Sequence, residues 1–88
     1  MKRNLEVIML KEKIKQQIMN KFIDSDIKIF TNDDKYFNTI IVSDSFKNKT
    51  LVERQKMVYE VIEQYILNRE VHAISLKTYT KDEWTQEN

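Results

Sequence analysis

The sequence predicts a single α+β domain in which helices cover one face of a three-stranded mixed sheet, in the chain order α-β-β-α-β followed by a terminal helical turn. Apolar residues recur at helical three- and four-residue spacing in two stretches, 3–22 and 51–67. Short runs rich in β-branched and aromatic residues lie at 27–30, at 36–42 and from residue 71 onward. A chain of 88 residues is long enough for one domain with one two-layer core.

The first helix is amphipathic. Lysine and glutamine fill one side, and an apolar stripe runs along the other. The stripe consists of Val7, Leu10, Ile14, Ile18 and Phe22. We expect this stripe to face the core, and we expect Asp24-Ser25-Asp26 to end the helix.

The first two strands are predicted to form an antiparallel hairpin. The strand Ile27–Phe30 is joined to the strand Tyr36–Val42 by Asn32-Asp33-Asp34-Lys35. This connection has the length and the composition of a hairpin turn.

A loop at 43–49 leads into the second helix. Because the chain contains no glycine, asparagine or aspartate must supply any left-handed backbone, and Asn48 is the candidate in this loop. Thr50 and Glu53 form a capping box that should begin the helix at residue 51. The face predicted to be buried consists of Leu51, Val58, Ile62 and Tyr65.

The last apolar run, from Val71, is predicted to be the third strand. A right-handed crossover makes it parallel to the second strand. Thr80 and Glu83 form a second capping box, and Trp84, the only tryptophan, is expected to fold back onto the sheet. Residues 85–88 are expected to form a disordered tail.

Composition excludes several classes of function. The net charge of +1 produces no overall field that would attract nucleic acid or membrane. The absence of cysteine excludes disulfides and thiolate ligands, and the absence of glycine excludes glycine-rich phosphate loops and the GXXG loop of KH domains. No apolar run approaches 18 residues, so no membrane span is predicted. We expect a cytoplasmic protein, or one in an organellar matrix if the chain is a processed form.

The sequence does not suggest an enzyme. Ser75 follows the only histidine, His72, by three residues and should point to the opposite face of the strand. The paired carboxylates lie at turns and helix starts, where capping explains them; they are Asp24 and Asp26, Asp33 and Asp34, and Asp82 and Glu83.

His72 cannot form a metal site by itself. A structural zinc site needs about four ligands, so any metal role must be shared with a partner or with a second copy. By strand alternation His72 should share a face with Ile74 and Leu76. A rim or core residue with satisfied nitrogens and a metal ligand are therefore both open interpretations.

Two stretches carry a family resemblance. VSDSFKNKTLVERQKMVYEVI at 42–62 and VHAISLKTYTKDEW at 71–84 resemble the BolA family, and its short branch in particular. The resemblance implies a class II KH-like fold and a non-enzymatic protein, monomeric alone, that forms a heterodimer with a monothiol glutaredoxin. The pair would share a [2Fe-2S] cluster, with a cysteine and a glutathione thiol on the glutaredoxin side and His72 on this side. Cluster transfer and iron sensing are the roles implied.

One departure from the family pattern concerns the loop between the first two strands. The family usually has a second histidine or cysteine there, whereas this chain offers only the oxygens of Asp33, Asp34 or Tyr36. Oxygen is a poorer ligand for iron–sulfur clusters. We therefore expect a more labile shared cluster, or a complex held by protein contacts alone.

Two rival functions remain. Some BolA-like proteins are transcription factors, and Lys47, Lys49, Arg54 and Lys56 could bind nucleic acid at the start of the second helix, with Phe46 in the core. The other rival is a protein–protein adaptor without a cluster. Its surface would comprise Tyr36, Thr39, Tyr79 and Trp84.

Overall fold

The computed structural model describes residues 2–31 and 33–87, with side chains from Leu5 onward. Its helices and strands are α1 (Lys2–Lys21), β1 (Asp26–Thr31), β2 (Tyr36–Val42), α2 (Leu51–Leu67), β3 (Ala73–Tyr79) and α3 (Lys81–Glu87). A 3₁₀ turn, Asp44–Phe46, lies in the loop before α2. The sheet order is β1-β2-β3, with β1 antiparallel and β3 parallel to β2. The predicted α+β class and mixed sheet are confirmed.

The core lies between the sheet and the two long helices. Alternate strand residues face these helices, and the buried ones include Ile27, Phe37, Ile41 and Ile74. The predicted stripe of α1 packs against them, fully buried from Ile14 onward and partly buried at its first two positions. Phe46 is fully buried, as predicted.

The buried face of α2 differs from the prediction at one end. Its buried residues are Arg54, Val58, Ile62 and Tyr65, whereas Leu51 is 68% exposed. The guanidinium of Arg54 lies 5.9 Å from the Phe46 ring centroid and forms the end of the core. Leu51, one turn earlier, therefore remains in solvent, and its assignment to the buried face was wrong.

The predicted caps and the left-handed residue are confirmed. Asn48 has φ 62°, in the left-handed region. The Thr50 hydroxyl accepts from the Glu53 N–H at 3.1 Å, and the Glu53 carboxylate accepts from the Thr50 N–H at 2.7 Å. Thr80 and Glu83 form the same pair of bonds, at 3.2 Å and 2.9 Å. Both helices therefore begin where their capping boxes predict.

The third helix brings Trp84 back onto the sheet. The half-buried Trp84 ring lies 5.1 Å from the Tyr79 ring centroid and 5.4 Å from Lys28 Nζ. Tyr79 and Lys28 alternate with inward-facing residues, so Trp84 packs on the face away from α1 and α2. Residues 85–87, expected in a disordered tail, belong to α3, and Asn88 lies outside the described residues.

Within the described parts of the chain, no helix is apolar enough over a sufficient length to cross a membrane.

Candidate functional site

Backbone hydrogen bonds join His72 to the loop between β1 and β2. Before it, Val71 is buried, and its N–H donates to the Tyr65 carbonyl at 3.0 Å. The His72 and Ala73 N–H groups donate to the Lys35 carbonyl at 2.8 Å and 3.4 Å. The start of β3 is thus held between the end of α2 and the β1–β2 loop.

The side chain of His72 lies at the surface. Because β3 begins at Ala73, two residues later than predicted, His72 precedes the strand whose alternation was expected to place it on the face of Ile74 and Leu76. The imidazole contacts the Tyr36 ring edge-on, with the centroids 5.7 Å apart. A buried core histidine is therefore excluded, and the exposed imidazole can approach a group on another molecule.

The β1–β2 loop brings its three candidate residues beside His72. The Asp33 carboxylate accepts the N–H groups of Tyr36 and Lys35 at 3.0 Å each. These bonds, chiefly the one from Tyr36, hold the pKa of Asp33 below its usual value, and His72 adds a smaller lowering. Asp34 adopts φ 71°, and its N–H donates to the Thr31 hydroxyl at 3.0 Å. The Asp33 carboxylate is thus engaged in holding the turn.

A shallow depression of about 180 Å³ lies next to His72. It is lined by Glu6, Val7, Leu10, Asp34, Lys35, Arg69, Glu70 and His72. Sequence reasoning missed the lining from α1 and from Arg69 and Glu70. Arg69 and Glu70 adjoin His72 in the chain and could have been suspected, whereas the contribution of α1 depends on helix packing.

The described residues contain no group of three or more histidine, cysteine or carboxylate side chains that could hold a metal ion. His72 can therefore contribute one nitrogen ligand, and the other ligands of any metal group must come from another molecule.

The predicted basic surface loses Arg54, which is only 6% exposed. Its guanidinium donates two bonds to the Glu83 carboxylate, at 2.7 Å and 3.0 Å, and one to the Lys49 carbonyl at 3.1 Å. The Arg54 bond holds the pKa of Glu83 at about 2, well below its usual value. Arg54 thus links α2 to α3, and its assignment to an open phosphate-binding surface was wrong.

The three lysines of this surface are exposed, with acidic groups among them. Lys47 Nζ lies 3.7 Å from an Asp44 oxygen. Bonds from Thr50 are the main cause of the lowered pKa of Glu53, and Lys49 and Lys56 add to the lowering. The helix start is thus already occupied by a carboxylate. Because β3 runs from His72 towards this end, the two candidate sites lie about 20 Å apart.

The remaining groups considered for catalysis have structural partners. The Asp24 carboxylate accepts from the Ser43 hydroxyl at 2.7 Å and the Asp44 N–H at 3.1 Å, which lowers its pKa. The Ser75 hydroxyl donates to Asn38 Oδ1 at 2.7 Å. Of the adaptor surface, Thr39 is 1% exposed and faces the core, so its assignment there was wrong, whereas Tyr36 is 54% exposed.

Comparison with known proteins gives the family. The model of the family described as BolA-like protein matches residues 6–83. The acid stress protein IbaG of Escherichia coli K12 is 30% identical over 74 residues, covering 84% of this chain and 87% of that protein. The DNA-binding transcriptional regulator BolA of Haemophilus influenzae is 34% identical over 55 residues, covering 62% of this chain and 52% of that protein.

A solved structure shows the same fold. BolA1 from Arabidopsis thaliana superimposes with a TM-score of 0.70 at 24% identity, covering 82% of this chain and 92% of that one. The motif at 42–62 and residues 71–83 of the second motif lie within the matched range of the family model, and α1 and the first two strands extend the match towards the N-terminus. The chain therefore belongs to the BolA family.

Proposed function

We propose that this chain is a non-enzymatic partner of a monothiol glutaredoxin in iron–sulfur cluster assembly, transfer or iron sensing, and that it shares a [2Fe-2S] cluster through His72. In this proposal the chain is monomeric alone and forms a heterodimer in the cytoplasm or an organellar matrix. The observation that carries it is the exposed imidazole of His72, held by the backbone at the start of β3.

The donor set fits a shared group rather than a resident one. One nitrogen ligand is present, and the nearby loop offers only oxygens, of which the Asp33 carboxylate is already bonded to two N–H groups. The remaining ligands would be the cysteine of the glutaredoxin and the thiol of glutathione. A cluster with histidine ligation has a higher potential than one held by cysteines alone. Because the β1–β2 loop supplies no histidine or cysteine, we expect the shared cluster to be labile.

The test is anaerobic mixing of this chain with a monothiol glutaredoxin that carries its [2Fe-2S] cluster, followed by visible circular dichroism. We expect the native chain to change the spectrum and His72→Ala to leave it as it is in glutaredoxin alone. Ser75→Ala is the matched control, because Ser75 is an exposed residue of the strand that follows His72 and has no predicted ligand role.

Size-exclusion chromatography of the same mixtures separates ligation from docking. A His72→Ala chain that still co-elutes with glutaredoxin but leaves the spectrum unchanged supports His72 as a ligand. If His72→Ala gives the same changed spectrum as the native chain, His72 is not a ligand and the proposal fails.

DNA-binding transcriptional regulation is the second candidate, and the name of the Haemophilus influenzae relative favours it. On this chain the predicted surface retains Lys47, Lys49 and Lys56, whereas Arg54 is paired with Glu83. Binding of duplex DNA that falls steeply with salt and is weakened by Lys49→Gln would support this function. The burial of Arg54 and the carboxylates beside the lysines place it second.

A further inference from the structure

The face of the sheet opposite α1 and α2 carries a second set of exposed side chains. The strand register arranges them in rows. Lys28 and Lys77 flank Ile40 in one row, and Phe30 and Ser75 flank Asn38 in the next. Tyr36 follows on β2 beside Ala73. We call this surface the open sheet face, and it comprises Lys28, Phe30, Tyr36, Asn38, Ile40, Ser75 and Lys77.

Two aromatic rings stand on the open sheet face. Phe30 is 51% exposed and Tyr36 is 54% exposed. Phe30 pairs with Asn38, and Tyr36 lies two residues from Asn38 on β2, so the two aromatic residues are diagonal neighbours about 7–8 Å apart. Exposed rings at this separation can each stack on a separate planar group.

The charge of the open sheet face has one sign. Its two charged residues, Lys28 and Lys77, are both exposed. Among the described residues, the nearest acidic residue of the same face is Asp26, one row beyond Lys28, where Trp84 covers Tyr79. The row of Phe30 thus offers an amide and a hydroxyl, and the adjacent row offers the two lysines. The carboxylate beside Tyr36 is that of Asp33 in the β1–β2 loop, which already accepts the Tyr36 and Lys35 N–H groups.

We infer that the open sheet face binds single-stranded nucleic acid. Two successive bases would stack on Phe30 and Tyr36, with Lys28 and Lys77 contacting the phosphates. Aromatic rings on an exposed sheet with adjacent cations are a general arrangement for unpaired bases. A duplex keeps its bases stacked on one another and cannot use the rings in this way. This surface is separate from the lysines at the start of α2, and His72 borders it through its edge-on contact with the Tyr36 ring.

The test measures the fluorescence anisotropy of a labelled 12-nucleotide single strand, as RNA and as DNA, and of a duplex of the same sequence, with the full chain. We expect the single strands to bind more tightly than the duplex. With two phosphate contacts, the affinity for the single strand should fall about sevenfold between 50 and 200 mM salt.

Paired variants locate the binding surface. Phe30→Ala and Tyr36→Ala should each weaken single-strand binding about fivefold or more, since each removes one stacking contact. Lys77→Gln should weaken binding and lower the salt dependence. The matched controls are Tyr59→Ala, which removes a ring that is 37% exposed on α2, and Lys13→Gln, which removes an exposed lysine from α1. Both should bind as the native chain does.

Two results would overturn the inference. One is single-strand binding that is unchanged in Phe30→Ala and Tyr36→Ala while their NMR spectra show the native fold. The other is a poly-glutamate peptide of equal charge that binds as tightly and loses affinity in the same variants, which would identify an acidic protein as the partner. Lys77→Gln should leave the circular dichroism of the glutaredoxin mixture as it is with the native chain, so failure of this inference is distinguishable from failure of the glutaredoxin proposal.

Discussion

Arg54 is a buried cation that holds three parts of the chain together. Its guanidinium bonds to the Glu83 carboxylate, to the Lys49 carbonyl at 3.1 Å and to the Thr78 carbonyl at 3.4 Å. Because Arg54 is 6% exposed, water cannot replace these acceptors without opening the structure. The Arg54–Glu83 ion pair is therefore a buried link between α2 and α3, beside the packing of Trp84 on Tyr79.

Glu83→Gln should lower the free energy of unfolding by about 1–2 kcal/mol at pH 7, measured by chemical denaturation. The substitution replaces a charge-assisted pair of bonds by one neutral acceptor, and the partial exposure of Glu83 keeps the loss moderate. Glu60→Gln is the control, because Glu60 pairs with Lys21 while its own side chain is 72% exposed. That variant should lose less than about 1 kcal/mol.

The difference in the free energy of unfolding between the native chain and Glu83→Gln should depend on pH in a defined direction. The pKa of Glu83 in the folded chain is about 2, and its ordinary value is 4.5. A lowered folded pKa means that the stabilisation is fully present above pH 4.5 and is lost as the pH falls towards 2. The difference in stability between native and Glu83→Gln should therefore be constant at neutral pH and shrink in acid. A difference that stays constant down to pH 2.5 would contradict this assignment.

Among the elements, three loops between helices and strands contain a residue in the left-handed backbone conformation, and none of these residues is glycine. Asp34, Asn48 and Arg69 have φ 71°, 62° and 67°. Asn48 was predicted because asparagine tolerates this region, whereas arginine gives no such signal. Arg69 follows the C-cap of α2, Asn68, and its N–H donates to the Ile66 carbonyl at 3.1 Å. The end of α2 is thus formed at some cost in backbone energy.

Arg69→Gly should raise the free energy of unfolding by about 1 kcal/mol, because glycine has no Cβ to oppose the left-handed conformation. Arg69→Ala is the matched control, since it removes the same side chain but keeps the Cβ atom, and it should give no gain. Thermal unfolding of the two variants measures the difference. Equal melting temperatures would show that Arg69 costs no backbone energy here.

At the scale of the whole molecule, the two faces of the sheet have different roles. The inner face packs against α1 and α2, and Phe46 joins them. Its ring lies 5.2 Å from the Phe22 ring and 5.9 Å from the Arg54 guanidinium. The outer face is covered at one end by Trp84 and carries the half-exposed Phe30. The packed core therefore lies on one face, and much of the other face is exposed.

Phe46→Ala should cost about 3–5 kcal/mol, a large part of the stability of a small domain, because it leaves a cavity in a fully packed core. Phe30→Ala, the same change on the outer face, should cost less than about 1 kcal/mol. Denaturation followed by Trp84 fluorescence and by far-ultraviolet circular dichroism measures both variants. Similar losses for the two would mean that Phe30 contributes to the packed structure.

Local sequence patterns predicted the order of elements, the mixed sheet, both capping boxes and the left-handed Asn48. These features depend on residues a few positions apart, such as Thr80 and Glu83, or on the right-handed crossover rule. It also singled out His72 and the loop residues Asp33, Asp34 and Tyr36, which the structure brings together.

The accessibility of these groups depends on contacts in the folded chain that local patterns do not reveal. Arg54 belongs by sequence to a basic surface, but Glu83, 29 residues away, accepts its bonds in the fold. His72 follows the alternation of β3 by sequence, yet the strand begins one residue after it and leaves the imidazole exposed. Local propensity is encoded within a few residues, whereas burial and pairing arise from contacts between distant ones. Whether Arg54 or His72 is open to another molecule therefore depends on those distant contacts.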